Sequence, residues 1–301
     1  MQVSNIRPIT QLATNDSKYI DGRPCFSPDG NTVLFERGGS DLKFAQFWSV
    51  PLNDSKQEQC FYYSDFYGCF RASWSWNNVL GPQTIAFTGV NDKGVTLWLL
   101  EPGAEPNSAT QLLVKNHEKN ALSYPAWFAD GESLLISNYS NLQLIKVNLA
   151  NHDVWTLTPE LFSSGMGTVS ATNSNLIAFA GQPRTDQPYN QNINQIWIQD
   201  GFNDPVLFSS DEKNAIGRAP WFSQDGAFIA YEALDASGLM QIYIKSVAQP
   251  YNQVSAVQVS LVTEKGMYAQ HGKFSPDGKT IIWAQQTSKN CSQIYAASIT
   301  Y

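Results

Sequence analysis

The apolar positions of this chain fall in short β-rich runs, each set off by turn signals. Four of the runs, Thr32-Val33-Leu34-Phe35, Ser133-Leu134-Leu135-Ile136, Phe228-Ile229-Ala230-Tyr231 and Thr280-Ile281-Ile282-Trp283, follow a turn of one recurring form. That turn reads Phe26-Ser27-Pro28-Asp29-Gly30, Trp127-Phe128-Ala129-Asp130-Gly131, Phe222-Ser223-Gln224-Asp225-Gly226 and Phe274-Ser275-Pro276-Asp277-Gly278. Pro presets φ, Asp bonds its own backbone and Gly supplies the positive φ of a tight hairpin, so each copy predicts strand, turn and strand. A third run opens with Gln and carries an aromatic, as in Gln46-Phe47-Trp48, Gln195-Ile196-Trp197, Gln241-Ile242-Tyr243 and Gln293-Ile294-Tyr295, and a half-polar fourth run closes each unit.

With this template two weaker copies emerge. Arg71-Ala72-Ser73-Trp74-Ser75-Trp76 leads, past an insertion in place of the Asp-Gly turn, to Thr84-Ile85-Ala86-Phe87; Thr168-Val169-Ser170 leads to Leu176-Ile177-Ala178-Phe179. Six four-stranded units at a period of about 50 residues predict an all-β, six-bladed β-propeller of antiparallel blades, and the repeat overrides the length prior of about 150 residues per domain. The expected blades are 20–64, 65–114, 118–158, 165–210, 214–263 and 268–301 in one domain, 1–301. The last unit ends after its third strand, and Ile9-Thr10-Gln11-Leu12 resembles Thr110-Gln111-Leu112-Leu113 of the second unit. An N-terminal strand over 8–13 is therefore expected to complete the last blade and close the ring.

Composition agrees with strands: 9 Trp, 13 Tyr and 16 Phe accompany only 15% charged residues. A net charge of −7 and an isoelectric point near 4.9 oppose a nucleic-acid groove. No apolar run approaches the ~18 residues of a membrane span, and the start is too polar for a signal peptide, so no membrane insertion is expected. The four cysteines, Cys25, Cys60, Cys69 and Cys291, have no C-x-x-C spacing, and their pairing is left open.

The F-S-P-D-G turn, the strand after it and the Q-I-[YW] strand resemble the propeller domain of the TolB family, over essentially the whole chain. The resemblance implies protein partners in an envelope assembly of bacteria and a periplasmic or secreted location; Met1 as the native start would imply the cytoplasm. No counterpart of TolB's amino-terminal α/β domain is expected in the few residues before the first blade. Related repeats occur in peptidase propellers and oligogalacturonate lyases, so the repeat specifies fold better than function.

Propellers bind ligands chiefly at the channel mouth. Seven residues before the Gly of each turn stand Arg23, Tyr124, Ala219 and His271, with Arg218 beside Ala219; Arg71 and Met166 hold the matching places in the weaker copies. Three arginines and a histidine around one mouth predict a positive funnel for a carboxylate or an acidic peptide. The competing expectation is that the arginines pair with Glu36 and Glu232 on neighbouring blades. Those two glutamates are also the candidate acid and base if the chain is a carbohydrate-active enzyme, which needs carboxylates ~5 to 9 Å apart. Only His117, His152 and His271 are present, on separate elements, so neither metal nor cofactor is expected. Ser275-Pro276-Asp277-Gly278 lacks the residue that a sialidase Asp-box has between Asp and Gly. No G-x-S-x-G, H-E-x-x-H or phosphate loop occurs.

Two surface features complete the reading. The segment Phe61–Phe70 packs six aromatics between the first two units, half of which should be buried by strand alternation. The long loop from Gly181 to Asn194, with Arg184, Asp186 and Tyr189, should overhang the mouth. The sequence thus favours a non-catalytic module that binds a protein or peptide segment, or an anionic small molecule or sugar, through Arg23, Arg71, Tyr124, Arg218, His271, Arg184 and Tyr189. A carbohydrate-active enzyme and a purely structural scaffold are the alternatives.

Overall fold

In the computed structural model, which describes residues 1–13, 18–76, 83–118, 120–209, 216–251, 254–260 and 267–301, the recurring turn forms as its residues dictate. Ser27 Oγ donates to Asp29 Oδ1 (2.6 Å) and accepts the Thr32 N–H (3.0 Å), while the Gly30 N–H, at φ 74°, donates to Ser27 O (2.9 Å). Ser275 and Asp277 repeat the arrangement, as do Ser223 and Asp225. Where Phe128 replaces Ser, Asp130 Oδ1 receives the N–H groups of Glu132 and Ser133. The insertion of the second unit falls on 77–82, outside the described residues.

These hairpins assemble into six four-stranded antiparallel sheets, the blades of a propeller. Blade 1 has strands Tyr19–Phe26, Thr32–Gly39, Gln46–Pro51 and Gln59–Tyr62. Blades 2 to 5 begin with first strands Gly68–Trp74, Leu122–Trp127, Phe162–Val169 and Gly217–Phe222. Blade 6 is built from Ala269–Phe274, Thr280–Ser288, Cys291–Thr300 and, outermost, the N-terminal strand Gln2–Pro8. Adjacent blades share their apolar faces. Between blades 1 and 2, for example, Phe47 meets Phe87 edge-on at 5.3 Å within a cluster that includes Leu34, Tyr62 and Cys69.

The ring is closed by the N-terminal strand, but over Gln2–Pro8 rather than 8–13. The ladder runs from Gln2 opposite Thr300 to Pro8 opposite Tyr295, and Ile9 N–H extends it with a bond to Ile294 O (2.8 Å). Beyond that point the N–H groups of Gln11 and Leu12 turn to the carboxylate of Glu58 on blade 1, so this stretch fastens two blades instead of edging one. Glu58 is itself fixed by Arg37, whose fully buried guanidinium also holds Asp21 bidentately (2.7 and 2.8 Å) and lies 4.6 Å from the ring of Trp48.

Candidate functional site at the channel mouth

Every first strand breaks its ladder at the same place. Register shifts lie between Gly22 and Cys25, Phe70 and Ser73, Ser123 and Ala126, Gly165 and Thr168, Arg218 and Trp221, and Gln270 and Lys273. Inside each bulge one non-glycine residue takes a left-handed backbone: Arg23 (φ 39°), Arg71 (56°), Tyr124 (52°), Met166 (52°), Ala219 (46°) and His271 (58°). Four of these, Arg23, Tyr124, Ala219 and His271, are the residues found by counting back from the turns, and Arg71 and Met166 are those matched to them in the weaker copies. The bulges bring all six to the lining of one pocket on the central axis, with about 480 Å³ of empty space counted with its open mouth.

A left-handed residue needs its neighbours to hold it, and the hold comes from the preceding blade. The second-strand residue opposite each pre-bulge position is Glu36, Thr88, Ser137, Ala180, Glu232 or Ala284. Where it is polar it accepts the bulge N–H of the next blade: Glu36 from Arg71, Thr88 from Tyr124 (3.3 Å), Ser137 from Met166 (3.0 Å) and Glu232 from His271 (2.9 Å). Glu36 and Glu232 are therefore blade-to-blade latches, 3% and 1% exposed.

The charges at the mouth differ from those read in the sequence. Arg23 pairs with Glu36 within its own blade (2.7 Å), which raises its pKa further. Arg71 has no carboxylate within ion-pair distance among the described residues; its Nη1 donates to Ser123 Oγ (3.0 Å) and its guanidinium lies 4.1 Å from the ring centre of Tyr124. The Nε atoms of Arg23 and Arg71 are buried without a hydrogen-bond partner. His271 does not add to the positive funnel. Burial, then Arg23, Lys273, Arg71 and Arg218, hold its imidazole well below the ordinary range, so it is neutral at pH 7. Its Nδ1 lies 3.2 Å from Glu232 Oε1, but with the ring neutral this is not an ion pair; the hydrogen bond between the two residues is the one Oε1 accepts from the His271 main-chain N–H. Burial raises the Glu232 carboxyl against the pull of Arg218, the His271 N–H and Arg23.

The missing cation is Lys273, two residues past His271. Its Nζ lies 4.1 Å from the ring centre of Trp221 on blade 5 and donates across the axis to Ala72 O on blade 2 (3.2 Å); burial lowers its pKa. Trp221 also walls a second cavity, lined by Trp76, Trp127 and the turn residues Ser223 and Gln224, and so stands between it and the mouth pocket that Lys273 lines. Both stand five residues before the Gly of their turns, at the first paired position after the bulge.

Of the other sequence-predicted residues, Arg218 lies opposite Glu232 in the ladder and outside the pocket lining. Arg184 and Tyr189 line a separate groove with Leu142, Ser163 and Gln182. Arg184 is tied there by donating from Nε to Phe162 O (3.1 Å) and from Nη2 to Asn141 O, and Tyr189 Oη accepts from Asn194 (2.8 Å). In the aromatic segment Tyr62 and Tyr67 are buried, whereas Phe66 is 68% exposed. All four cysteines are free thiols, with Cys60 at the surface. Among the described residues no three His, Cys, Asp or Glu side chains gather as metal ligands, and no helix is long and apolar enough to cross a membrane.

Six four-stranded blades closed in a ring define a six-bladed β-propeller whose fold is similar to that of TolB propellers. TolB from Acinetobacter baumannii superposes with a TM-score of 0.64 at 16% identity over 85% of this chain, which spans 57% of the length of that protein. A putative TolB from Agrobacterium tumefaciens gives 0.63 at 14%, covering 94% of this chain and 91% of the other. An oligogalacturonate lyase from Vibrio parahaemolyticus gives 0.53 at 12%, covering 100% and 98%. At these identities the likeness is one of fold. No family profile and no curated protein sequence matches the chain.

Proposed function

We propose that this propeller is a non-catalytic binding module whose channel mouth takes an anionic ligand, either an acidic small molecule or a carboxylate of a peptide or protein partner. The observation that carries the reading is Arg71: a guanidinium stacked on Tyr124, without a carboxylate of its own among the described residues, in a pocket where its Nε and that of Arg23 lack partners. Such groups are costly to leave unbonded, and a guanidinium without a carboxylate of its own is suited to pair with an incoming one. The non-catalytic reading draws support from Glu36, whose two oxygens accept from the Arg71 N–H and the Arg23 guanidinium, and from the burial of Glu232, whose Oε1 accepts the His271 N–H while its Oε2 has no partner.

A thermal-shift screen against organic acids, acidic sugars and short acidic peptides tests this. A ligand that binds the native state raises the midpoint in a dose-dependent way. The rise is expected with carboxylates and is lost in Arg71→Ala; a screen with no shift, or a shift unchanged in Arg71→Ala, rejects the reading.

A further inference from the structure

We infer that the mouth is built for the carboxy-terminal carboxylate of a peptide chain, the last residue of which is small and apolar. The inference rests on the anion-binding reading above and adds the shape of the anion to it.

First, side chains stand in the path inward from the mouth. Lys273 reaches from blade 6 to Ala72 O on blade 2, and Trp221, against its ammonium, separates the mouth pocket from a second cavity, so a chain entering from the mouth meets these side chains. Such a pocket accommodates a chain end, whereas an internal Asp or Glu has to bring chain in and out through the same opening.

Second, the donors line that pocket and come from different blades. Arg71 is on blade 2, Arg23 on blade 1 and Lys273 on blade 6. Lys273 spends one bond on Ala72 O and has no carboxylate within ion-pair distance among the described residues. A terminal carboxylate has two oxygens and about four lone-pair positions, which suits a split set of N–H donors.

Third, the wall between the donors is apolar. Met166, Pro125, Pro220 and Trp221 line it. A highly charged anion such as a phosphate would leave charge facing these groups. A monocarboxylate with an apolar side chain on its neighbouring carbon fits both halves of the pocket, and the restricted space favours a small one.

The test is calorimetric titration of the whole chain with three probes: N-acetyl-Gly-Gly-Ala-Val as the free acid, the same peptide amidated at its C-terminus, and N-acetyl-Gly-Glu-Gly-amide, whose only carboxylate is internal. The free acid is expected to bind at least about tenfold more tightly than the amide, since it alone makes charge-assisted bonds. Arg71→Gln is expected to erase that preference while the folded far-UV spectrum persists. Met166→Glu, which puts a resident carboxylate into the wall, is expected to weaken the free acid to a similar degree and serves if Arg71→Gln does not fold. Equal binding of acid and amide overturns the inference. Tighter binding of the internal-Glu peptide overturns it too, while leaving the anion-binding reading in place. Binding of none of the three overturns both.

Discussion

Lys273 on blade 6 gives its ammonium to the main-chain carbonyl of Ala72 on blade 2, 3.2 Å away across the central axis. Burial lowers its pKa, which means that the folded protein bears a cost for keeping it charged. Lys273→Met keeps the length of the side chain and its packing on Trp221 but removes the charge. The variant is expected to be within about 1 kcal/mol of the parent in stability, or above it, in urea unfolding. A much larger loss would mean that the ammonium bond, rather than the packing, holds this contact together.

The latches between blades should be separable by charge. Ser137→Ala removes the acceptor of the Met166 N–H and is expected to cost about 1 kcal/mol. Glu36→Ala strands both the Arg71 N–H and the Arg23 guanidinium, which is about one-third exposed, and is expected to cost about 2–3 kcal/mol. Equal costs in denaturant melts would show that Arg23 does not depend on Glu36.

Ring closure makes a sharper demand. Arg37→Met leaves the carboxylates of Asp21 and Glu58 buried without their cation, and Glu58 is what holds the Gln11 and Leu12 N–H groups. A loss of about 3–5 kcal/mol in chemical unfolding is expected.

The sequence made the ring legible and the closure only partly so, for a physical reason. Arg23, Tyr124, Ala219 and His271 stand at a fixed distance from an Asp-Gly turn whose geometry is dictated locally, so counting along the chain finds them, and matching the weaker copies to that template finds Arg71 and Met166. The closing strand depends on long-range pairing. Ile9-Thr10-Gln11-Leu12 has the composition of an outer strand, yet Glu58 draws its later N–H groups away, and Gln2–Pro8 takes the edge. Lys273 and Trp221 stand five residues before the Gly of their turns, but the bulge just before them shifts the strand alternation by one residue, so simple alternation does not assign them to the pocket lining. The Glu36 and Glu232 latches had a signal that could have found them: a polar residue recurring at one position of an otherwise apolar second strand.

Acid should weaken the fold through His271. Its unfolded pKa is near 6.5, and in the folded state it is held well below that by burial and by Arg23, Lys273, Arg71 and Arg218. Between the two values the unfolded chain binds the extra proton, so stability falls as pH drops below about 6.5, by up to about 1.4 kcal/mol per pH unit. Glu232, whose pKa is raised, has the opposite sign, gaining stability as pH falls toward the ordinary glutamate range. Comparison with His271→Gln isolates the imidazole: between pH 7.5 and 5.5 the parent is expected to lose more melting temperature than the variant. Parallel losses would place the ring's titration elsewhere.

The most direct test of the account is nuclear magnetic resonance of the arginine side chains during titration with N-acetyl-Gly-Gly-Ala-Val free acid. The Nε–H groups of Arg23 and Arg71 are buried at the mouth without partners. The account predicts that the Arg71 signal, and with it that of Arg23, shifts saturably, while that of Arg37, bound to Asp21 and Glu58, stays in place. Mouth signals that do not move at saturating peptide, or that move no more than Arg37, would contradict it.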